Sequence, residues 1–248
     1  MENNQFNLPT ETVELPSKGL LYPEGNPLSS GTVEIKYMTA KEEDILTNNA
    51  YIKDGTVIDK LLKSLIVSPI NYNDLLVGDK NAIMIAARIL GYGKDYEFEY
   101  QGEKQTVDLT ELKDKELHED FKRGENVFNF TLPNTNIPIT FKLLTHGDEQ
   151  KIDRELKGLK KINKKSSPEL TTRLKHIITS INGDSESKTI REFVDNGLLS
   201  RDARELRKYY GKISPDIDIV FNYTDDEGED KEASLPIGLT FFWPDIDV

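Results

Sequence analysis

The sequence predicts an α+β protein of two small lobes, each a few helices with a short antiparallel sheet or hairpin. Three observations carry that expectation. Short alternating runs at 32–38, 96–100 and 217–223 have strand periodicity. Between them lie segments with apolar residues at helical spacing, such as Ile58, Leu61, Leu62 and Leu65. The order of parts also occurs twice: strand, capped helix, further helices, a helix ended by glycine, then a strand hairpin. Ile35-Lys36-Tyr37-Met38-Thr39 enters a helix in the first half as Phe141-Lys142-Leu143-Leu144-Thr145 does in the second. Residues 79–93 followed by 96–100 likewise match 200–211 followed by 216–223. Residue identity is low, so duplication and chance similarity of common α+β parts both stand. The expected organisation is an extended N-terminal arm over 1–31, a first lobe over 32–110, a charged linker over 111–125 and a second lobe over 126–248 with an aromatic end.

Taken in order, 1–12 is polar and is expected to be loose. Alternation in 32–38 places Val33, Ile35 and Tyr37 on one side of a strand. Thr39 and Glu42 fit a capping box for a helix to about Ala50. A second helix starts near Thr56 and is stopped by Pro69, and a third is capped by Asp79 and closed by Gly91-Tyr92-Gly93. Residues 96–100 and 106–109 form strands around a Gln101-Gly102 turn. Residues 111–122 are a charged helix or linker. A hairpin spans 127–132 and 137–144, with Pro138 implying an edge strand. A helix opens at 145–148 and runs toward Ile162. Ser167 caps the next with Pro168 in its first turn, and Leu170, Leu174, Ile177, Ile178 and Ile181 line its face. Helices at 187–196 and 200–210 end at Gly197 and Gly211. A final hairpin pairs 217–223 with 231–235 around the acidic turn 225–230.

One stretch fits none of these elements: Leu15-Pro16-Ser17-Lys18-Gly19-Leu20-Leu21-Tyr22-Pro23. Pro16 and Pro23 fix φ and remove donors, which excludes a helix and a central strand. Leu15, Leu20, Leu21 and Tyr22 are too apolar for a free tether. The expectation is an extended arm, turning at Ser17-Lys18-Gly19, that lies on its own lobe or grips a partner. The aromatic end Phe241-Phe242-Trp243-Pro244 is costly to leave in water, and it must also be buried in its own lobe or in a neighbour.

The chain has 248 residues, 36% hydrophobic, 31% charged, with net charge −12 and no cysteine. The negative balance argues against nucleic-acid binding, which needs a basic face. Without cysteine there are no disulfides or thiolate metal sites, and the expectation is a reducing cytoplasm. The longest apolar run, 83–87, is too short to span a bilayer, so no membrane partner is expected. Charge is unevenly placed, net +6 over 151–175 and net −9 over 214–248. A solvated face, opposed patches meeting in the fold, and guidance of a partner are all compatible with that.

Catalytic signals are poor. His118, His146 and His176 are scattered, and none has a helix-spaced partner resembling a zinc site. There is no Gly-x-Ser-x-Gly elbow. Gly91-Tyr92-Gly93 lacks the third glycine of a dinucleotide loop and follows a helix. The acidic 225–230 lacks the spacing of a calcium loop. The expected catalytic, cofactor and metal residues are therefore none. The candidate partner contacts are Leu15, Pro16, Leu20, Leu21, Tyr22, Pro23, Phe241, Phe242, Trp243 and Pro244.

The arm over 15–23, the strand–helix over 33–46 with Met38-Thr39-Ala40-Lys41-Glu42-Glu43-Asp44, and 88–96 with its Gly91-Tyr92-Gly93 together resemble the baseplate protein family of T-even-type contractile-tail bacteriophages. That family includes the small baseplate hub subunit, also described as a hub assembly protein. The match is best over about 13–110 and looser beyond. Many relatives in that family carry Cys pairs in the hairpin after the Gly-Tyr-Gly segment; Tyr100-Gln101-Gly102-Glu103-Lys104 has none, so metal binding does not carry over. The resemblance implies a non-enzymatic structural or assembly component of a myovirus baseplate hub, without cofactors. It would act through contacts with other hub or tail proteins, in the host cytoplasm during assembly and then in the virion tail. The alternative is a soluble tail-assembly chaperone for the tape-measure protein or another hub subunit, absent from the mature virion.

Overall fold

A strand opens the fold. Thr10–Glu14 (β1) pairs antiparallel with Thr32–Lys36 (β2), Val13 opposite Val33. The stretch expected to be loose is thus ordered from Thr10, because Val13 reaches the core and its neighbours complete the ladder. The computed structural model describes residues 9–162, 168–225 and 228–242. Among them are eight α-helices and nine strands, in three two-stranded sheets and one three-stranded sheet. The class is α+β, as the composition of elements predicts.

Thr39 and Glu42 close the expected capping box at the start of Ala40–Leu46 (α1). The helix expected to reach Ala50 breaks earlier. The Asn48 side chain captures the amides of Ala50 and Tyr51 and starts Asn49–Asp54 (α2). Val57–Leu65 (α3) stops four residues before Pro69, where Ile66 forms a bridge with Ile35 and the Val67 amide donates to Glu34 O. Val77–Tyr92 (α4) begins ahead of Asp79, which lies in its first turn and does not cap it. Asp95–Tyr100 (β3) and Glu103–Asp108 (β4) follow as a hairpin. Gln101 and Gly102, at φ 53° and 85°, supply the two left-handed residues that such a turn requires.

Beyond the short 3-10 turn Leu109–Glu111, the charged segment holds no helix. It is tied down by hydrogen bonds from Lys115 N to Asp216 O, Asp218 N to Lys113 O and Gly124 N to Leu20 O.

In the second half Phe128–Thr131 (β5), Pro138–Phe141 (β6) and Ile178–Ile181 (β7) form the three-stranded sheet in that order. Two expectations are corrected here. β6 is central despite Pro138, which is tolerated because it is the first residue and offers its carbonyl to Asn182 N at 2.9 Å. Ile178 and Ile181 belong to a strand, not to the helix face. Glu169–Ile177 (α6) ends where consecutive β-branched residues favour extended backbone. Pro168 stands at the N-cap of α6, and Ser167 lies outside the described residues. His146–Ile162 (α5) precedes it, and Ser187–Asn196 (α7) closes at Gly197. Ser200–Ile213 (α8) runs through Gly211 instead of ending there. Val220–Thr224 (β8) and Asp230–Ser234 (β9) make the last hairpin.

The halves repeat one another at the level of side-chain geometry. Glu42 accepts from Thr39 N, Thr39 Oγ1 and Lys36 Nζ; Asp148 accepts from Thr145 N, Thr145 Oγ1 and Lys142 Nζ. Leu75-Leu76-Val77-Gly78-Asp79 opens α4, and Leu198-Leu199-Ser200-Arg201-Asp202 opens α8. Both aspartates are fully buried and reach back to the loop between a first and second strand. The Ile35–Ile66 bridge stands where β6 pairs with β7.

A single hydrophobic cluster draws on both halves. Leu76 bridges Thr145, and Tyr96 OH donates to Pro236 O at 2.7 Å. At the seam Gly78 lies so close that an added Cβ would sit 1.9 Å from Pro215 O. Gly78→Ala should therefore cost about 3 kcal/mol of unfolding free energy, since the obstructing atom is backbone. Gly211→Ala, in the last turn of α8 with open space around it, should gain about 0.5 kcal/mol. Denaturant unfolding of the two variants beside the parent checks both; equal effects would contradict the seam geometry.

Candidate interaction surface

The arm follows β1 directly. Leu15 N donates to Gly31 O, then the chain turns with Lys18 at φ 50° and Gly19 at φ 74°. Leu20 N returns to Ser17 O at 3.0 Å, so the turn lies where the sequence predicts it. Gly19 is required there, because a Cβ would meet Gly31 N and Ser29 O at 2.6 Å.

What holds the arm is the Asp79 carboxylate. It accepts from Ser17 N at 2.9 Å, Ser17 Oγ at 2.7 Å and Tyr22 OH at 2.5 Å. Tyr22 OH in turn accepts from Leu76 N at 2.9 Å. Burial pushes the Asp79 carboxyl up, and the bonds from Tyr22 and Ser17 pull it back down. Burial, with Asp79 beside it, also raises the Tyr22 hydroxyl, which stays protonated as a donor.

Of the arm residues singled out by sequence, Leu15, Pro16, Leu21 and Tyr22 are buried in this chain's own core; Leu20 is half-buried and Pro23 exposed. A pocket of about 310 Å³ opens beside them, with Leu21, Tyr22 and Pro23 on one side and Gly124, Asn126 and Thr145 on the other. Phe241 and Phe242 are fully buried, in the 3-10 turn Leu239–Phe242. Phe241 meets Tyr96 edge-on at 4.9 Å, with the Arg88 guanidinium 6.0 Å from its ring. Trp243 and Pro244 lie outside the described residues.

Sequence reasoning missed a trough along the seam between the halves. Three adjoining depressions of about 620, 400 and 330 Å³ share lining residues and run past the first turns of α4. The largest is floored by Met84 and Leu235 and walled by half-buried Ile58, Ile217, Ile219 and Ile237, with Asp218 exposed on its rim. The smallest is lined by Leu144, Leu174, Ile177 and Tyr210, with Arg173 and Arg207 beside them. The middle one holds a polar cluster, where Asp59 accepts from Tyr72 OH at 3.0 Å and Lys80 Nζ at 3.2 Å and lies 3.5 Å from His146 Nε2. No local signal marks the trough, whose walls meet across long separations; Asn81 Nδ2 donates to Asp216 Oδ1 at 3.0 Å.

The titratable groups sit in structural pairings. Burial lowers the pKa of His146, whose ring is edge-on to Tyr72 at 4.6 Å. His118 pairs with Asp120, and His176 with Glu155 at 3.0 Å. Arg191 grips Glu155 bidentately and, with His176, holds its carboxyl down to about 2, against the burial that opposes it. Among the described residues no three His, Asp or Glu side chains are grouped to hold a metal ion, and no helix is long and apolar enough to cross a membrane. The two charged regions meet without pairing: Arg173 and Asp216 line the smallest depression together, but no ion pair among the described residues joins 151–175 to 214–242.

A family model described as T4 bacteriophage base plate protein matches residues 9–243. No curated protein and no solved structure matches the chain.

Two outcomes test the electrostatics. Tyr22→Phe leaves Leu76 N without its buried partner and removes one of the two donors to Asp79 Oδ2, the other being Ser17 Oγ, and should cost on the order of 2 kcal/mol of stability, read by denaturant unfolding. Glu155 titrates near 4.5 when unfolded and about 2 when folded, so its contribution is complete above about pH 4.5 and lost as pH falls toward 2. Glu155→Gln should lower stability by about 1 kcal/mol at neutral pH and flatten the acid limb of the stability curve over that window. An unchanged acid limb would contradict the Glu155–Arg191 assignment.

Proposed function

We propose that this chain, which belongs to the T4 bacteriophage base plate protein family, is a non-enzymatic subunit of the baseplate hub of a contractile-tailed phage. It acts there through contacts with other hub or tail proteins. The observation that carries this reading is the family match over 9–243, which takes in the arm and both halves, well past the 13–110 where the motifs are clearest. The site supports it in kind. Histidines and buried carboxylates are occupied with structural partners, while the seam offers an elongated, part-apolar trough of the sort that receives a protein segment. Contact by the arm falls to half-buried Leu20 and to exposed Pro23, which lines the small pocket, since Leu15, Leu21 and Tyr22 are already spent in the core.

Quantitative mass spectrometry of purified virions tests the subunit reading. The expected result is this chain at a fixed stoichiometry to other baseplate proteins. Mature, infectious particles that lack it, with baseplates failing to form when it is deleted, would overturn the subunit reading in favour of an assembly factor that leaves.

A further inference from the structure

We propose that the exposed end of α5 docks into the seam trough of a second copy of this chain, joining copies head to tail. Residues 157–162, the last six of α5, are all exposed, with Ile162 86% and Leu159 36% accessible. Lys157, Lys160 and Lys161 surround them and have no hydrogen-bond or ion-pair partner among the described residues. The end is thus an apolar knob ringed with uncompensated positive charge, left in water by its own fold.

The trough is its complement. Its largest section presents Ile217, Ile219 and Ile237, with the carboxylates of Asp216 and exposed Asp218 lining it beside Lys80 and Lys115. β8 and β9, which contribute Val220 and Ser234 to the wall, carry Asp230 and Glu232 exposed just beyond. Among the described residues no ion pair joins the basic 151–175 to the acidic 214–242, and the contact matches these charges between molecules.

Geometry says why the partner is another copy. The first turns of α5 line the middle of the trough through His146, Glu149, Gln150 and Asp153. A 17-residue helix is a rod of about 25 Å. Its far end is therefore carried away from the trough that its near end lines, and reaches only a neighbour's. Knob and trough are different surfaces, so the contact is heterologous and propagates into a ring or a row. This holds for the purified chain alone and does not depend on the baseplate reading.

Sedimentation of the purified full chain is the test. Wild type should associate reversibly as concentration rises, and at least tenfold more weakly when ionic strength goes from about 0.1 M to 1 M. Two variants at exposed positions break opposite sides: Leu159→Ser with Ile162→Ser removes the knob, and Gly238→Arg, where an added Cβ meets open space, fills the trough. Each should remain folded by circular dichroism and monomeric alone. Mixed in equal amounts they should form dimers and nothing larger, because one intact knob meets one intact trough. A wild-type chain that stays monomeric at every concentration, a folded variant that associates like wild type, or a mixture that stays monomeric would overturn the proposal.

Discussion

The fold depends on one carboxylate that water does not reach. Asp79 lies in the first turn of α4, fully buried, and its two oxygens must find donors inside the protein. They find them on the arm, in the amide and hydroxyl of Ser17 and the phenol of Tyr22. Tyr22 then receives the Leu76 amide just ahead of the helix, and Leu76 bridges Thr145 at the opening of α5. A proline-bounded stretch with little regular secondary structure of its own is thereby fixed to the central helix. The same chain of bonds reaches the second half.

Asp202 is the counterpart in that half. It is equally buried and accepts from Asn134 N, Asn134 Nδ2 and Thr135 Oγ1 in the turn between β5 and β6. The loops it and Asp79 secure differ greatly in length, yet the solution is the same: an acid in the first turn of a helix, where the helix dipole favours negative charge, reaching out to a loop between two strands. Glu42 and Asp148 add a second matching pair one element after the strand, each joining a lysine, a threonine cap and a helix start. Geometry so alike at four positions is a stronger sign of a shared design than the scant residue identity of the halves.

Reading the sequence went furthest where partners are neighbours. Thr39 with Glu42, and Gln101-Gly102 between alternating runs, announce themselves within a few residues. Asp79 looked like a cap because capping is the local role of an aspartate near a helix start, while its true partners stand 57 and 62 residues away. Asn48 hid a break inside a stretch of helical periodicity. Ile178 and Ile181 fit a helix face as well as a strand, and only the sheet edge offered by β6 decides between them. Pro138 was read by a rule about missing donors that does not bind the first residue of a strand. The trough was illegible for the same reason as Asp79: its walls come together only once both halves are in place.

The approach of Gly78 to Pro215 is a contact between main chains, with no side chain of the glycine to give way. Side chains deform by changing rotamer; close-packed backbones have no such freedom. At that point the two halves behave mechanically as one piece. For a member of a phage base plate family, such a stiff junction would carry a load applied to one half straight to the other, with little lost to bending between them.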